Sequence, residues 1–537
     1  MQKEVLNVET PEGLRIIERI PVAAGSVILI GFMLRVWAGL HTVIVNPDGA
    51  LYIQQAMAIH DKNWISLKTC ALTFISAYPF LIAVGYRLVH DWMLSARMIS
   101  LICGTAMLIP LYLIVKEWVR KDNAILTILV FAVTPVLVSN SVEVIRDPIG
   151  WFFLSAGIWA VIHRNTPCRH GFLLAASLCF LAAAWARIES ILFMAITLAY
   201  LLYDRKNTKT MDILFFLSPL LVIFFFSLVG MMFSGLSLGD LHRGKEIAGK
   251  FIEPIRQYRL MADSLKTLVW SSPNPFVEFF LPEVRNHIWL IAMGTVLNRF
   301  LEAFFYPFVV FYFLGLSGIR KYRSDTRLLY LTALTLSGLS MLYVHTLQTW
   351  MLYYRFFGIV MIPAVVCCAF GMEKLRDIIS RKWSSEPVIV FWVLFIVIIG
   401  VSLPKNLKSG DTDKTVFIQI ADTISQHAPD AAAIKTATSR HTQIWISFYA
   451  NLHRAGTPPC PLDEANCWEF YPDDPALFRN RLRQNGLQFV LWEEKHWLFH
   501  NFSLSDLMGS ADYRELGRWH HRDTGQMILF AVNGPTN

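Results

Sequence analysis

Charge is what this sequence has little of. Only 16% of its 537 residues are Asp, Glu, Lys or Arg, against about 25% in soluble globular chains. With 55% hydrophobic residues, that scarcity excludes an ordinary soluble domain. A Walker loop and a Gly-rich dinucleotide fingerprint are both absent, so ATP-driven transport by this chain alone is not expected. There is no short-period repeat. The polar start "MQKEVLNVETPEGLRIIERIP" carries no cleavage pattern, so the first apolar segment is expected to stay as a membrane anchor rather than leave as a signal peptide. The net charge of +8 does not indicate a nucleic-acid partner, because the basic residues sit in short runs between apolar segments, as cytoplasmic loops do.

What is present in quantity is apolar runs of near 20 residues. The expected fold class is a polytopic α-helical membrane protein. Eleven spans are read, at about 22–45, 92–115, 123–140, 148–163, 170–186, 188–203, 211–233, 301–319, 327–346, 354–372 and 387–403. The loops "KEWVRKD", "HRNTPCR", "YDRKNTK", "IRKYRSDTR" and "EKLRDIISRK" hold sixteen Lys and Arg. The loops "SVEVIRD", "ARIES" and "TLQTWMLYYR" hold one Arg each. With the N-terminus in the cytoplasm, all five rich loops fall inside and the three poor ones outside. Residues 71–90 are apolar enough to span, but counting them would invert every later loop. They are read as lying along or dipping into the outer face.

Outer loops are expected at 46–91 and 234–300 within a membrane domain of residues 1–403. Residues 404–537 are polar, with helix-like "TVFIQIADTISQHA" and strand-like "LQFVLWE" and "QMILFAV" pieces. They predict a small soluble α/β domain on the outer side. Six cysteines, Cys70 among them, are scattered in or near the membrane part without metal spacing. Cys460 and Cys467, in "CPLDEANC", are expected to form a disulfide in an oxidising compartment.

Ionisable groups at membrane depth mark function by default, and here they collect at the outer face. Asp48 follows the first span and Arg97 stands near the outer start of the second. Glu143, Arg146 and Asp147 fill the next outer loop, and Arg187 and Glu189 the one after. Arg299 and Glu302 begin the eighth span, and His345 and Arg355 bracket the last outer loop. Bundled helices would place these groups around one cavity. Arginines clamp phosphate through forked bonds, and a carboxylate can take the proton of an attacking hydroxyl. That chemistry suits transfer of a group from a phosphate-bearing lipid.

The pieces "NPDGALYIQQA", "SARMISLICGTAMLIPLYLIVKEW", "SVEVIRDPIGWFFL" and "YYRFFGIVMIPAVVCCAFGMEKL", in this order, resemble the GT-C glycosyltransferases. The likeness is to the bacterial branch related to protein O-mannosyltransferases and the lipid A aminoarabinose transferase. The tail, with "IADTISQHAPDAAAIKT" and "FYANLHR", resembles that branch's periplasmic domain. The resemblance implies a GT-C-like fold of about eleven spans in a bacterial inner membrane. It implies a polyprenyl-phosphate sugar donor, inversion at the anomeric carbon, and release of polyprenyl phosphate. Asp48 matches the first-loop acid and would be the base. Arg355, with Arg146 and Arg97, would hold the donor phosphate. Tyr52, Asp147, Glu143, Arg187 and Glu189 would position substrate. The acceptor would be a lipid, a glycan or a protein. Many relatives place paired acids in the first loop, whereas Asp48 is followed by Gly49. A metal-independent monophosphate donor is therefore favoured, and no cofactor is expected.

Structural readings stand beside these. Asp48 suits a helix N-cap, and Tyr52 suits an interfacial aromatic belt. Arg146 and Asp147 can pair with each other. Arg97 and Arg187 can snorkel to headgroups, with Glu143 and Glu189 as ion-pair partners. Arg299 and Glu302 can be an i,i+3 pair. The basic stretch 242–266 reads as a solvated amphipathic helix. The rival functional class is a transporter or flippase for a lipid-linked anion, which would show polar groups at mid-depth and broken helices in repeated halves. A third reading is an inactive, lipid-binding relative.

Overall fold

The computed structural model describes all residues except 1–20, 71–74, 235–241, 272–273, 323, 384–385, 429–432 and 534–537. Most of the polar start and the first residues of the 71–90 segment thus lie outside the described residues.

Helices occupy the segments read as spans, but those in 123–140, 148–163 and 188–203, namely Lys121–Val133, Asp147–Ile162 and Ile191–Tyr203, have only 13, 16 and 13 residues. Eleven full-length spans are therefore not what the structure shows among the described residues. Among the described residues six are long and apolar enough to cross a membrane: Val22–Leu40, Trp92–Val115, Arg169–Ala186, Thr210–Val229, Thr326–Thr349 and Pro387–Asn406. Two apolar helix pairs are bent at a short break, Ile288–Ala303 with Tyr306–Arg320 at 108° and Tyr354–Met361 with Val365–Trp383 at 77°, each the shape of a broken span or of a re-entrant loop. The chain is a polytopic membrane protein. The second bend falls at Pro363, whose ring cannot continue the hydrogen-bond ladder. The first falls at Phe305, inside what reads in sequence as the start of a single span, 301–319. Arg299 and Glu302 therefore end one helix rather than begin the next.

The Ala77–Val89 helix has 13 residues, about 20 Å of rise, too short for a hydrocarbon core of about 30 Å. Leu81, Val84 and Leu88 are exposed along it, an apolar stripe suited to a membrane surface.

At the centre runs the Lys121–Val133 helix, buried from Asn123 to Val133 on all faces, as an evenly apolar helix should be. Glycines set the closest approach. A Cβ on Gly315 would stand 1.8 Å from the Cys367 carbonyl oxygen, and one on Gly371 1.7 Å from that of Phe311. Small residues at such crossings let membrane helices pack backbone to backbone.

The five Lys- and Arg-rich loops meet at one end of the bundle. Arg327 bonds Asp325 at 2.9 Å and Glu117 at 3.5 Å, and Trp118 Nε1 donates to Asp325 at 3.0 Å. Arg376 reaches Asp122 at 3.4 Å, Arg169 reaches Asp212 at 2.7 Å, and Arg164 pairs with Asp204. The three Arg-poor loops meet elsewhere, around Asp48.

After Asn406 the chain forms a four-stranded sheet: β1 Thr436–Ala437, β2 Phe489–Glu493, β3 Tyr513–His521 and β4 Gly525–Val532, in the order β1-β2-β4-β3. β1 and β2 are parallel; β4 is antiparallel to both its neighbours. Helices Thr415–His427 and Gln443–Asn451 cover the sheet. This region does not stand alone. Phe417, Ile420, Ile446, Phe448, Phe489 and Leu529 share one hydrophobic core with Val45, Tyr52, Ile53, Ala56, Met57 and Tyr78 of the first loop.

Cys460 does not pair with Cys467. It is disulfide-bonded to Cys70, 390 residues away, with Cα atoms 5.2 Å apart. Cys467 is buried as a free thiol beside Trp468. It is held by its backbone, since Thr438 and Cys467 form a parallel bridge. Nearness in sequence suggested the wrong partner, because the chain folds the 460 segment onto the first loop.

Candidate functional site

The site begins with "NPDG". Asn46 is the N-cap of the Pro47–His60 helix, its Oδ1 accepting from Asp48 N at 3.0 Å. Proline at the first helical position is pre-set for the turn. Asp48 is therefore not the cap. It sits inside the first turn, its carboxylate free to point away, and its Oδ2 accepts from Arg355 Nη2 at 2.6 Å. The Asp48 side chain is 41% exposed and that of Arg355 only 15%, so the acid faces the open side of the pair. Arg355 lies against the rings of Tyr353 and Phe356, at 5.2 and 5.5 Å.

Gly49 has a packing reason. A Cβ there would meet the Val144 carbonyl oxygen at 2.7 Å. The missing second acid is thus a condition of seating this helix against the 141–147 loop. Behind Asp48, Tyr52 is buried and packs edge-on to Tyr78, ring centroids 5.5 Å apart. It is a core residue rather than part of a lipid-facing belt, and burial pushes its hydroxyl pKa upward.

Asp147 does not pair with its neighbour Arg146. It is buried and ion-paired with Arg187, Oδ1 to Nη1 at 3.1 Å, while Arg187 stacks over Phe356 at 4.5 Å. Arg187 thus turns inward and does not snorkel. Burial opposes the Arg146 charge, but the surrounding Tyr52, Glu189, Asp147 and Asp48 more than offset it and hold its guanidinium above the usual range. Glu143 accepts from Asn46 Nδ2 at 3.3 Å. Burial pushes the Glu143 carboxyl up, with Arg355 and the Asn46 bond pulling the other way. Arg97 donates to the Thr42 carbonyl at 2.8 Å. Arg299 bonds Glu302 at 2.9 Å and also the Tyr354 hydroxyl.

Two cavities reach the chain neighbours of Arg355, one at Tyr354 and the other at Phe356; neither has Asp48 or Arg355 in its lining. One, of about 490 Å³, is of mixed character, with His41, Thr42, Glu143, Tyr354, Lys405 and Asp411 beside apolar residues such as Ala38, Val136 and Val142. The other, of about 820 Å³, is an apolar groove that starts at Arg187, Glu189 and Phe356 and runs along Leu192, Met341, Val344 and Leu347. His345 lines that groove. Among the described residues no three His, Cys, Asp or Glu converge as a metal site.

Residues 76–231 match the family model for dolichyl-phosphate-mannose-protein mannosyltransferase, a stretch that holds Glu143, Arg146, Asp147, Arg187 and Glu189. ArnT from Cupriavidus metallidurans, solved bound to undecaprenyl phosphate, is similar in structure with TM-score 0.58 at 13% identity, over 96% of this chain and 98% of that one. The fold is that of the GT-C glycosyltransferases. An archaeal oligosaccharyltransferase, AglB from Archaeoglobus fulgidus, solved with an inhibitory peptide and a dolichol-phosphate, shares this GT-C fold with TM-score 0.51 at 11% identity, over 94% of this chain and 74% of that one. A comparison with curated proteins found no match. The chain resembles the branch of GT-C proteins that includes ArnT and the O-mannosyltransferases.

Asn46, Cys70, Trp445 and Tyr449 escaped the reading of the sequence. The Asn-Pro start before a helix was a usable signal for Asn46. The others depend on contacts across about 400 residues, and no local pattern announces them.

Proposed function

We propose that this chain is an integral membrane glycosyltransferase that moves a sugar from a polyprenyl-phosphate carrier to an acceptor hydroxyl. The observation that carries the reading is the Asp48–Arg355 pair at 2.6 Å; beside Arg355, Phe356 lines the apolar groove and Tyr354 the second cavity. That is where a lipid-borne phosphosugar and a water-borne acceptor would meet. The solved relatives hold a polyprenyl or dolichyl phosphate in the same fold, which supports this donor class.

The groove takes the tail. Arg355 and Arg146 receive the phosphate, and the fork of each guanidinium matches its oxygens. An arriving phosphate competes for Arg355 and frees the Asp48 carboxylate. Asp48 then accepts the proton of the acceptor O–H as its oxygen attacks the anomeric carbon. The bond from that carbon to the phosphate oxygen breaks, and its electron pair leaves with polyprenyl phosphate. Attack opposite the leaving group inverts the centre. Asp147, held by Arg187, and Tyr52 behind it keep the wall rigid. A monophosphate leaving group flanked by two arginines has its charge matched without a metal ion.

The disulfide between Cys70 and Cys460 supports placing the first loop and the C-terminal domain in an oxidising compartment. The basic loops gathered at the opposite end support a cytoplasmic location for that end. Together they fit a bacterial inner membrane with the C-terminal domain in the periplasm. Arg35, fully buried in the first helix with Nη1 donating to Gly31 and Ala132 carbonyls at 2.9 Å, is the observation that favours the transporter reading.

The test is release of free polyprenyl phosphate from a panel of polyprenyl-phosphate sugars by purified protein, with membrane extract as acceptor source. Release by wild type and none by Asp48→Asn, with donor binding intact, is expected. Equal release by both removes Asp48 from the mechanism. Tight donor binding without release by wild type supports the transporter.

A further inference from the structure

We propose that Trp445 and Tyr449 of the C-terminal domain are positioning residues for Asp48; the proposal rests on reading Asp48 as the base. Residues 41–46 join the first helix to the Asp48 helix and form neither helix nor strand. Such a connection leaves the first turn of the following helix free to tilt unless its backbone groups are held. Both polar groups of Val45 are held from the other domain. Trp445 Nε1 donates to the Val45 carbonyl at 2.9 Å, and the Val45 N–H donates to the Tyr449 hydroxyl at 2.7 Å.

The grip is rigid on both sides. Trp445 stacks on Phe417 with ring planes 3° apart and centroids at 5.4 Å, and Tyr449 rises from the same Gln443–Asn451 helix. From Val45 the constraint passes through Asn46, whose two side-chain bonds fix the cap and reach Glu143, to Asp48 two residues on. Arg97 adds a third hold on this connection at the Thr42 carbonyl. Farther along the helix the same domain takes Gln54 through the Pro458 carbonyl at 3.4 Å and Asp61 through the Thr457 hydroxyl at 2.9 Å. The domain thus grips the helix at its start and its end. The C-terminal domain is part of the catalytic apparatus, acting on Asp48 through Val45 and Asn46.

A displacement of about 1 Å in a reacting group costs on the order of 100-fold in rate. The experiment compares the wild type with Trp445→Phe, Tyr449→Phe and the double variant in the full chain. It measures kcat and donor KM for polyprenyl phosphate release and backbone hydrogen exchange across the protein. Expected is a fall in kcat of about 10-fold for each single variant and about 100-fold for the double, with donor KM within about 2-fold of wild type. Exchange over residues 45–50 should quicken while β2 and β4 keep their protection. An unchanged kcat in the double variant overturns the proposal. So does a common loss of protection in β2, β4 and 45–50, which would mark general destabilisation. If the wild type releases no polyprenyl phosphate from any donor, the transferase reading fails instead. The exchange data then decide the clamp alone, and unaltered protection over 45–50 in Tyr449→Phe overturns it.

Discussion

Asp48 and Arg355 stand 307 residues apart in the chain and 2.6 Å apart in space. This pair brings the first loop against the last bent helix pair and makes one site of two distant segments. Arg355→Lys keeps the charge but loses the planar fork and the ring stacking. It is expected to raise donor KM about 10-fold, with a smaller effect on kcat, whereas Asp48→Asn lowers kcat about 100-fold or more and leaves KM near wild type. Steady-state kinetics of polyprenyl phosphate release separates the two.

Gly49 cannot carry a side chain where it is. Gly49→Ala places a methyl 2.7 Å from the Val144 carbonyl, and overpacking of this kind costs about 1–3 kcal/mol. A lower thermal midpoint and lower activity are expected together. Gly49→Asp, which restores the paired acids, should be worse than alanine in both.

Asp147 is buried against Arg187 at 3.1 Å. Arg187→Met removes its counter-charge and should destabilise the protein by about 3–5 kcal/mol. The double variant Arg187→Met with Asp147→Asn should recover part of that loss, because no buried charge then stays unpaired. Denaturation midpoints of the four proteins in a double-mutant cycle check this.

Glu143 gives the site a pH signature. Burial holds its folded pKa above the ordinary carboxylate range, so the folded protein keeps this proton longer than the unfolded chain. Below the ordinary range both states are protonated and no term arises. As pH rises from that range through the folded pKa, stability falls and then levels off. Glu143→Gln should lack this decline, so its stability relative to wild type should grow across the same window. Thermal midpoints measured at a series of pH values test the sign.

The disulfide pairing is open to direct mapping. Non-reducing peptide mass spectrometry should find Cys70 joined to Cys460 and Cys467 alkylated only after unfolding. Cys460→Ser and Cys70→Ser should lower the thermal midpoint equally, and the double variant should add nothing further.

Apolar runs placed the helices because a membrane span is a composition signal that needs no partner. The strands at Phe489–Glu493 and Gly525–Val532 were legible for the same local reason. Asp48 was legible because an acid at the end of an apolar run is rare. The bend at Phe305 was not, since an apolar run reads alike whether it continues or turns. Nor was the partner of Asp147, since adjacency to Arg146 says nothing about where each side chain points. The Asp48 cap reading failed through one residue: Asn46, not Asp48, stands at the helix boundary. The Cys70–Cys460 bond and the Val45 grip of Trp445 and Tyr449 are long-range pairings, set by how two regions dock.

The shared core between the first loop and the C-terminal sheet sets a timetable. A ribosome making this protein delivers Asp48 early, Trp445 late and the strands of the sheet later still. For most of synthesis the first loop has no sheet to pack against, and Cys70 lacks Cys460, its partner. A chain interrupted before residue 445 would insert its helices yet carry an unseated acid, and full competence arrives only with the final strand.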